Sequence, residues 1–278
     1  MTVLQSTPPW EWPRDAGKLL GQVLSDRGAG TSDRVIAADL AGNLVVINDV
    51  LAKSLMAVLQ SPDEADELRA TAAISFGPVL EQGDTMEFDV PEEVPISEGM
   101  FHNIQEDMAK LYADSETPKE VRRRILEASV RAPDEWHQGA IQEAYSSGDR
   151  EWMLTAVFAM RYLRGFNDQI LEALESGDAD IHEEAIRAAG NWEIDGAWPH
   201  VLKLLENPVT PKPLLLGAID AAASIRPQEA GDLLEKLADS EDEEIAEAAD
   251  EARQMAVSKL RSEDEEAEEI GDPDIWVN

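Results

Sequence analysis

The chain has 278 residues and carries 58 Asp and Glu side chains against 23 Lys and Arg, a formal net charge of −35. A surface this acidic repels nucleic-acid phosphates and anionic membranes, so neither is expected as a partner. It contains no cysteine, which excludes disulfides, thiolate nucleophiles and cysteine-ligated metals.

The first predicted feature along the chain is an N-terminal extension, residues 1–13, followed by helix pairs over residues 14–260. The second helix of each pair opens at an anchor residue, and the anchors lie 35, 53, 31, 29, 33 and 31 residues apart. The seven anchors are Asp33, Leu68, Val121, Trp152, Ile181, Leu214 and Ile245. A period near 30 residues with two helices per unit is typical of a helical solenoid.

Each second helix carries one stripe of small or apolar residues at positions four, five and seven after its anchor. Position four is alanine in six of the seven copies, and position nine is glycine in three, at Gly42, Gly77 and Gly190. The first helix of each pair carries leucine-type residues instead, as in Trp198–Glu206 (WPHVLKLLE). Its other predicted copies are 16–24, 43–59, 101–112, 136–145, 166–175 and 228–238. The alanine stripe allows a neighbouring helix to approach closely.

Two segments interrupt this pattern. Residues 81–99 contain two prolines and seven acidic residues, and they account for most of the 53-residue spacing. We predict an inter-helix loop there, either a tolerated insertion or a flap that touches a ligand. Residues 261–278 are predicted as an acidic C-terminal tail ending in the apolar run Ile275-Trp276-Val277. That run has two open roles, a self-contact with the repeats or binding to another chain.

Residues 66–73 (DELRATAA) and 119–122 (KEVR) share a signature in which an acidic and then an apolar residue directly precede an arginine, Arg69 and Arg122. With the 30-residue period, this pattern resembles the short bacterial HEAT-like repeats first known from phycobilin lyases, over roughly residues 14–256. The resemblance implies an all-α fold, a right-handed α-solenoid of about seven helix pairs. Four copies depart from the signature at the arginine position: Met153, His182, Leu215 and Ala246. A continuous ladder of charge between repeats is therefore not expected.

The same resemblance bears on catalysis, since one HEAT-like hydroxylase holds two irons with repeated His-Glu dipeptides. This chain has a single such dipeptide, His182-Glu183. One histidine cannot supply the ligands of a di-iron site, so we expect His182 to be an exposed residue in the first turn of a helix. The sequence therefore predicts no catalytic residues, no cofactor and no metal site.

The middle of the chain is rich in aromatic and basic residues. Eight of the fifteen aromatic residues lie between positions 136 and 198, and eight of the 23 basic residues lie between positions 119 and 164. Trp, Tyr and Arg dominate binding hot spots, although inter-repeat packing is the competing explanation for each aromatic taken singly. The candidate protein-binding residues are Arg122, Arg123, Arg124, Trp136, Trp152, Arg161, Tyr162, Arg164, Trp192 and Trp198.

These observations favour a non-enzymatic scaffold or adaptor that binds a segment of a protein partner, of unknown identity, on the concave face of the solenoid. An accessory subunit of a lyase-type or chaperone-like complex is the alternative, and a metal-dependent HEAT-repeat enzyme is a distant third. The chain shows neither a signal peptide nor an apolar run long enough to cross a bilayer, so we expect a cytoplasmic protein. Its acidity fits either a high-salt cytoplasm or a basic partner.

The net charge of −35 makes stability salt-dependent. Ions screen the repulsion among like charges, so the melting temperature should rise with salt concentration at constant pH. Differential scanning calorimetry over a salt series measures this. A flat response would show that the charges are already dispersed or paired, and it would remove the high-salt explanation of the acidity.

Overall fold

The structure, a computed structural model of the chain, describes residues 2–86, 88 and 93–271, and only the backbone of residues 2 and 263–271. Every regular element in these ranges is a helix, which confirms the all-α class predicted from the period. Contacts divide the chain into two compact units, Met1–Thr155 and Ala156–Asn278. None of the described helices is both long and apolar enough to cross a membrane.

Unit 1 holds the earlier helix pairs, each made of a first and a second helix. After α1 (Thr2–Gln5), the pairs are α2 (Ala16–Ser25) with α3 (Thr31–Ala41), α4 (Asp49–Gln60) with α5 (Asp66–Ile74), and α7 (Glu98–Ala113) with α8 (Lys119–Ser129). The helix α6 (Gly77–Met86) lies between the second and third pairs. A fourth pair is α9 (Glu135–Ser146) with α10 (Arg150–Ala159), whose last residues belong to unit 2. The second helices pack in series, α3 on α5 and α5 on α8.

Unit 2 continues the arrangement with three more pairs. They are α11 (Asn167–Ala173) with α12 (Ala179–Asn191), α13 (Trp198–Glu206) with α14 (Lys212–Ile225), and α15 (Pro227–Ala238) with α16 (Glu243–Gly271). The second helices again pack in series, α12 on α14 and α14 on α16. The described residues thus form the predicted seven pairs.

The alanine stripe forms the contact between consecutive second helices. All seven position-four residues are fully buried: Ala37, Ala72, Ile125, Ala156, Ala185, Ala218 and Ala249. Position nine is tighter still, because a Cβ on Gly42 would lie 2.8 Å from the Ser75 carbonyl oxygen, and one on Gly190 would lie 2.8 Å from the Ala221 Cα. Ser75 and Ala221 occupy position seven of the next copies. Glycine is therefore required here for close approach of two backbones.

Arginines that directly follow the anchor connect the two helices within a pair. The Nε atoms of Arg34, Arg69 and Arg122 donate to the carbonyl oxygens of Leu24, Leu59 and Tyr112 at 3.1, 3.0 and 2.8 Å. Each acceptor lies ten residues upstream, in the last turn of the first helix, where carbonyls lack an intrahelical partner. The arginine thus satisfies the end of one helix from the start of the next.

Lysines connect neighbouring repeats at two places. Lys119 Nζ lies 2.7 Å from a carboxylate oxygen of Asp149, and Lys212 Nζ lies 2.8 Å from one of Asp242, each partner 30 residues away. Both aspartates also accept backbone N–H groups at the start of the next second helix. Each unit therefore contains one such bridge, although a continuous ladder is absent from the described residues.

Three predicted boundaries differ in the structure. Residues 81–86 of the predicted loop are helical in α6, because Gly83 packs against the Phe101 ring and the tertiary contact supplies burial. Residues 43–48 precede α4 instead of opening it, since the Asn48 side chain caps that helix. The last helix extends to Gly271, into the predicted tail, through good helix formers such as Glu and Ala. Residues 87, 89–92 and 272–278, including Ile275-Trp276-Val277, lie outside the described residues.

The close approach at position nine is testable by adding a methyl group. We expect Gly190→Ala to lower the free energy of unfolding by roughly 1–3 kcal/mol, because the new Cβ overpacks the contact with α14. Gly231→Ala is the matched control in α15, where a Cβ meets nothing within 4 Å. There the better helix propensity of alanine should raise stability by about 0.5–1 kcal/mol. Urea denaturation measures both, and a stabilised Gly190→Ala variant would contradict the packing.

Candidate protein-binding surface

The ten predicted binding residues separate into two groups, one in each unit. In unit 1, Arg122 lies over two rings, with its guanidinium carbon 5.0 Å from the Tyr112 centroid and 5.7 Å from the Trp152 centroid. The Trp136 ring lies 4.8 Å from that of Tyr112. Since Arg122 also donates to the Tyr112 carbonyl, this cluster holds the end of α7 in place. Tyr112 is buried, but Arg122, Trp136 and Trp152 are partly exposed, so the cluster still presents an aromatic surface.

Arg123 and Arg124 form a closed ionic network. Arg123 is only 5% exposed, and its guanidinium contacts Glu120 at 2.9 Å and the Thr155 hydroxyl at 3.0 Å. That hydroxyl in turn donates to buried Glu127 at 2.6 Å. Arg124 contacts Glu120 at 3.0 Å and Glu127 at 2.7 Å. These arginines are therefore engaged within the fold, and Arg123 has almost no surface to offer a partner.

A second arginine–aromatic cluster lies in unit 2. The Arg161 guanidinium carbon lies 5.7 and 5.8 Å from the ring centroids of Phe158 and Tyr162, and that of Arg164 lies 4.4 Å from the Trp192 ring. Trp192 is fixed by its Nε1–H, which donates to the Met160 carbonyl at 2.6 Å. Trp198 does not join the cluster, because it is buried in the core.

This cluster borders a groove across α12, α14 and α16, with a cavity of about 400 Å³. Gly190, Gly217 and Ala221 at the helix contacts leave room for it. Its remaining lining residues are Arg161, Arg187, Asn191, Leu216, Asp220, Ser224 and Met255. The groove thus combines cationic, anionic, amide and apolar side chains, which suits a peptide segment better than a small apolar molecule.

Arg187 of the groove is ion-paired with Glu183 at 2.6 Å, whereas Arg161 and Asp220 are incompletely paired. Arg161 meets Glu184 at 3.5 Å, while its buried Nε finds no acceptor in the described residues. Burial raises the pKa of Glu184, opposed by Arg161, and loss of hydration raises the pKa of Asp220, opposed by Arg187. Asp220 as a whole residue is exposed, although it lines the groove. No described cation lies within ion-pair distance of Asp220, so hydrogen-bonding capacity is left for a partner.

Arg187, Asp220 and Met255 are groove residues that the sequence analysis missed. Their signal is present in the register, since Arg187 and Asp220 stand at position six after their anchors. Position ten of α12, α14 and α16 supplies Asn191, Ser224 and Met255. Residues at equal positions of stacked repeats share one face. The enrichment of arginine and aromatic residues identified Arg161 and the border of the groove, whereas the repeat register identifies five further lining residues.

His182 departs from its prediction as an exposed residue. It lies in the first turn of α12 and is half-buried, with its Nε2 atom 2.6 Å from Nε2 of His200. The Nδ1 atom of His200 lies 3.3 Å from a carboxylate oxygen of Glu175. His182 is thus part of a small polar cluster between α12 and α13.

Among known proteins, no family model and no curated protein matches the chain. Solved structures that resemble it include YibA of Escherichia coli, with 18% identity, a TM-score of 0.47, and coverage of 88% of this chain and 84% of that one. Human deoxyhypusine hydroxylase in complex with glycerol has 18% identity and a TM-score of 0.40, with coverage of 87% of this chain and 84% of that one. A designed armadillo repeat protein in complex with the peptide (KR)4 has 16% identity and a TM-score of 0.42, with coverage of 73% of this chain and 98% of that one. At such values neither the enzyme's activity nor the designed protein's peptide transfers to this chain.

His137, which stacks on Trp136 at 3.8 Å in the unit 1 cluster, makes stability pH-dependent. Its Nδ1 accepts the Asp134 N–H at 2.9 Å, and its Nε2 lies 2.9 Å from the Ser129 hydroxyl, which donates onward to the Ile125 carbonyl. This arrangement suits the neutral ring, with a proton on Nε2. Burial lowers the pKa of His137 from 6.5 to about 4.

A depressed histidine pKa contributes stability that is fully present above the unfolded value and is lost as pH falls toward the folded value. We expect wild type to lose up to roughly 3 kcal/mol relative to His137→Gln between about pH 7 and pH 4. Glutamine retains an acceptor for the capping box without titrating. Urea denaturation of both proteins across this range measures the difference, and a constant difference would contradict the assignment.

Proposed function

We propose that this chain is a non-enzymatic protein-binding scaffold, and that the unit 2 groove holds a segment of its partner. The observation that supports this most strongly is the combination of incompletely paired charges with exposed apolar surface in one groove. Arg161 offers guanidinium donors beyond its 3.5 Å contact with Glu184, Arg187 offers those that its ion pair with Glu183 does not use, and Met255 offers exposed apolar surface. By contrast, the arginine network of unit 1 is satisfied internally.

The chemistry of the groove defines the segment it would take. Guanidinium groups bind carboxylates with paired hydrogen bonds, so the segment should carry an acidic residue for Arg161 or Arg187. An apolar side chain beside it would cover Met255 and Leu216. Asp220 and the amide of Asn191 would then accept or donate hydrogen bonds to the backbone of the segment. The excess of acidic residues elsewhere on the chain would repel an acidic segment and thereby orient it toward the groove.

The remaining predicted residues have a secondary place in this proposal. The exposed guanidinium of Arg164 and the rings of Tyr162 and Trp192 would extend the groove at its α10 end. Arg122, Trp136 and Trp152 of unit 1 would contribute a separate aromatic contact. An accessory subunit of an enzyme complex uses the same surface chemistry, so the identity of a captured partner would separate that alternative from a general scaffold.

Selection of peptides by display on the immobilised protein tests the proposal, followed by affinity measurement with isolated peptides. The groove variant combines Arg187→Gln with Met255→Ser. The Arg187 side chain is 45% exposed, and Met255 is 44% exposed. The control combines Arg253→Gln with Val257→Ser, at 48% and 46% exposed, on the opposite side of α16. We expect the groove variant to weaken binding by roughly tenfold or more, since hot-spot truncations each cost above about 1 kcal/mol.

The control variant should bind like wild type, and added salt should weaken the wild-type affinity. Selected peptides should share an acidic residue near an apolar one. Equal loss of affinity in both variants would place the binding surface elsewhere. Failure to select any peptide that competes for the groove would remove the support for a peptide-binding role.

A further inference from the structure

The polar cluster of His182, His200 and Glu175 stands apart from the groove and breaks the repeat pattern. In the copies anchored at Asp33, Leu68 and Val121, the arginine after the anchor binds a carbonyl ten residues upstream. His182 occupies that position in α12 but contacts the next pair instead, through His200 of α13. His182 therefore does not make the hydrogen bond that the arginines make at this position, and its imidazole can serve a role specific to this repeat.

The geometry brings two imidazole nitrogens together. The Nε2 atoms of His182 and His200 are 2.6 Å apart, with the rings nearly perpendicular at 77°. On the far side of His200, Glu175 lies 3.3 Å from Nδ1 and can hold the Nδ1–H tautomer. That tautomer turns the Nε2 lone pair toward His182. A carboxylate that accepts the remote N–H of a histidine is the usual outer partner of a metal-binding histidine.

We propose that His182 and His200 bind one divalent, nitrogen-preferring metal ion, of the Zn²⁺, Ni²⁺ or Cu²⁺ class, through their Nε2 atoms. The metal would replace the proton that the two nitrogens share, and Glu175 would orient His200 from outside the coordination sphere. Imidazole is a favoured ligand of this class of ion, whereas Mg²⁺ and Ca²⁺ prefer oxygen.

The required change in distance is small, and each ring must also tilt so that its Nε2 lone pair points at the metal instead of at the other nitrogen. With metal–nitrogen distances of about 2.0–2.1 Å, adjacent corners of a square lie about 2.9 Å apart and those of a tetrahedron about 3.3 Å apart. The two rings must therefore separate by only a few tenths of an ångström from their 2.6 Å contact. The described residues hold no group of three or more ligands around one point. The site accordingly supplies two protein ligands, and water or a bound partner completes the coordination.

The acidic surface sets the design of the test, because 58 Asp and Glu residues bind cations without specificity. Millimolar Mg²⁺ occupies such oxygen sites and leaves nitrogen sites available. Cu²⁺ is the probe, since it binds most tightly in the divalent series and its electron paramagnetic resonance spectrum reports coordinated nitrogens. Titration calorimetry with Zn²⁺ under the same conditions gives stoichiometry and affinity without a redox-active metal.

The wild-type protein should bind one equivalent of Cu²⁺ with two coordinated nitrogens. His182→Gln and His200→Gln should each lower the affinity at least about tenfold and remove one nitrogen from the spectrum. His102→Gln is the matched control, because His102 is an exposed histidine 3.8 Å from Glu98. It should leave both measurements unchanged.

Glu175→Gln provides a second variant that keeps both ligands, with a side chain that is largely exposed and so dispensable for folding. It should weaken Cu²⁺ binding by about tenfold or more while two nitrogens remain coordinated. The proposal is overturned if wild type shows no two-nitrogen signal in Mg²⁺, or if folded His200→Gln binds as tightly as His102→Gln. None of these outcomes depends on the peptide groove, so the two proposals stand or fall separately.

Discussion

The second helices α3 and α5, and likewise α12 and α14, meet backbone to backbone at position nine, where a Cβ on Gly42 or Gly190 would come within 2.8 Å of the next copy. Small residues at positions four and seven make the approach possible, and every position-four residue is fully buried. Contact this close fixes the rotation of each helix about its axis, because larger side chains have to point elsewhere. The register that packs the repeats therefore decides which residues line the surface between them.

That shared register gives different surfaces in the two units. Positions six and ten after Val121 are Glu127 of α8 and Arg131 just beyond its end, and both are held by ion pairs, with Arg124 at 2.7 Å and Glu81 at 3.0 Å. At position six, α14 presents Asp220, which has no described cation within ion-pair distance. A closed network stabilises its own unit and offers a partner little, since breaking buried pairs is costly. An incompletely paired set of charges, as in unit 2, can still bind a ligand. Both units are built from the same helix pairs.

The sequence predicted the helix pairs well because burial at a 30-residue period is a property of the chain alone. It failed where a contact outside the pattern decides structure, as at Gly83, whose packing against Phe101 keeps residues 81–86 helical. The site was predicted only in part. Counting arginines could not reveal that Arg123 is buried, because its contact with Thr155 joins separate helices, α8 and α10. The predicted right-handed coiling of the array stays a prediction.

Departures from a repeat carry information of a different kind from the repeat itself. The arginine after the anchor satisfies carbonyls at the end of the preceding helix, a need that every pair shares. Where leucine or alanine replaces it, as at Leu215 and Ala246, the pair gives up that bond without gaining a polar group. His182 instead introduces a polar group that is half-buried, and its burial is tolerable because Nε2 finds His200 at 2.6 Å. His182 thus lacks the bond that an arginine would make to the end of the preceding helix, but it keeps a nitrogen partner in His200. We expect this combination where the imidazole serves as a ligand.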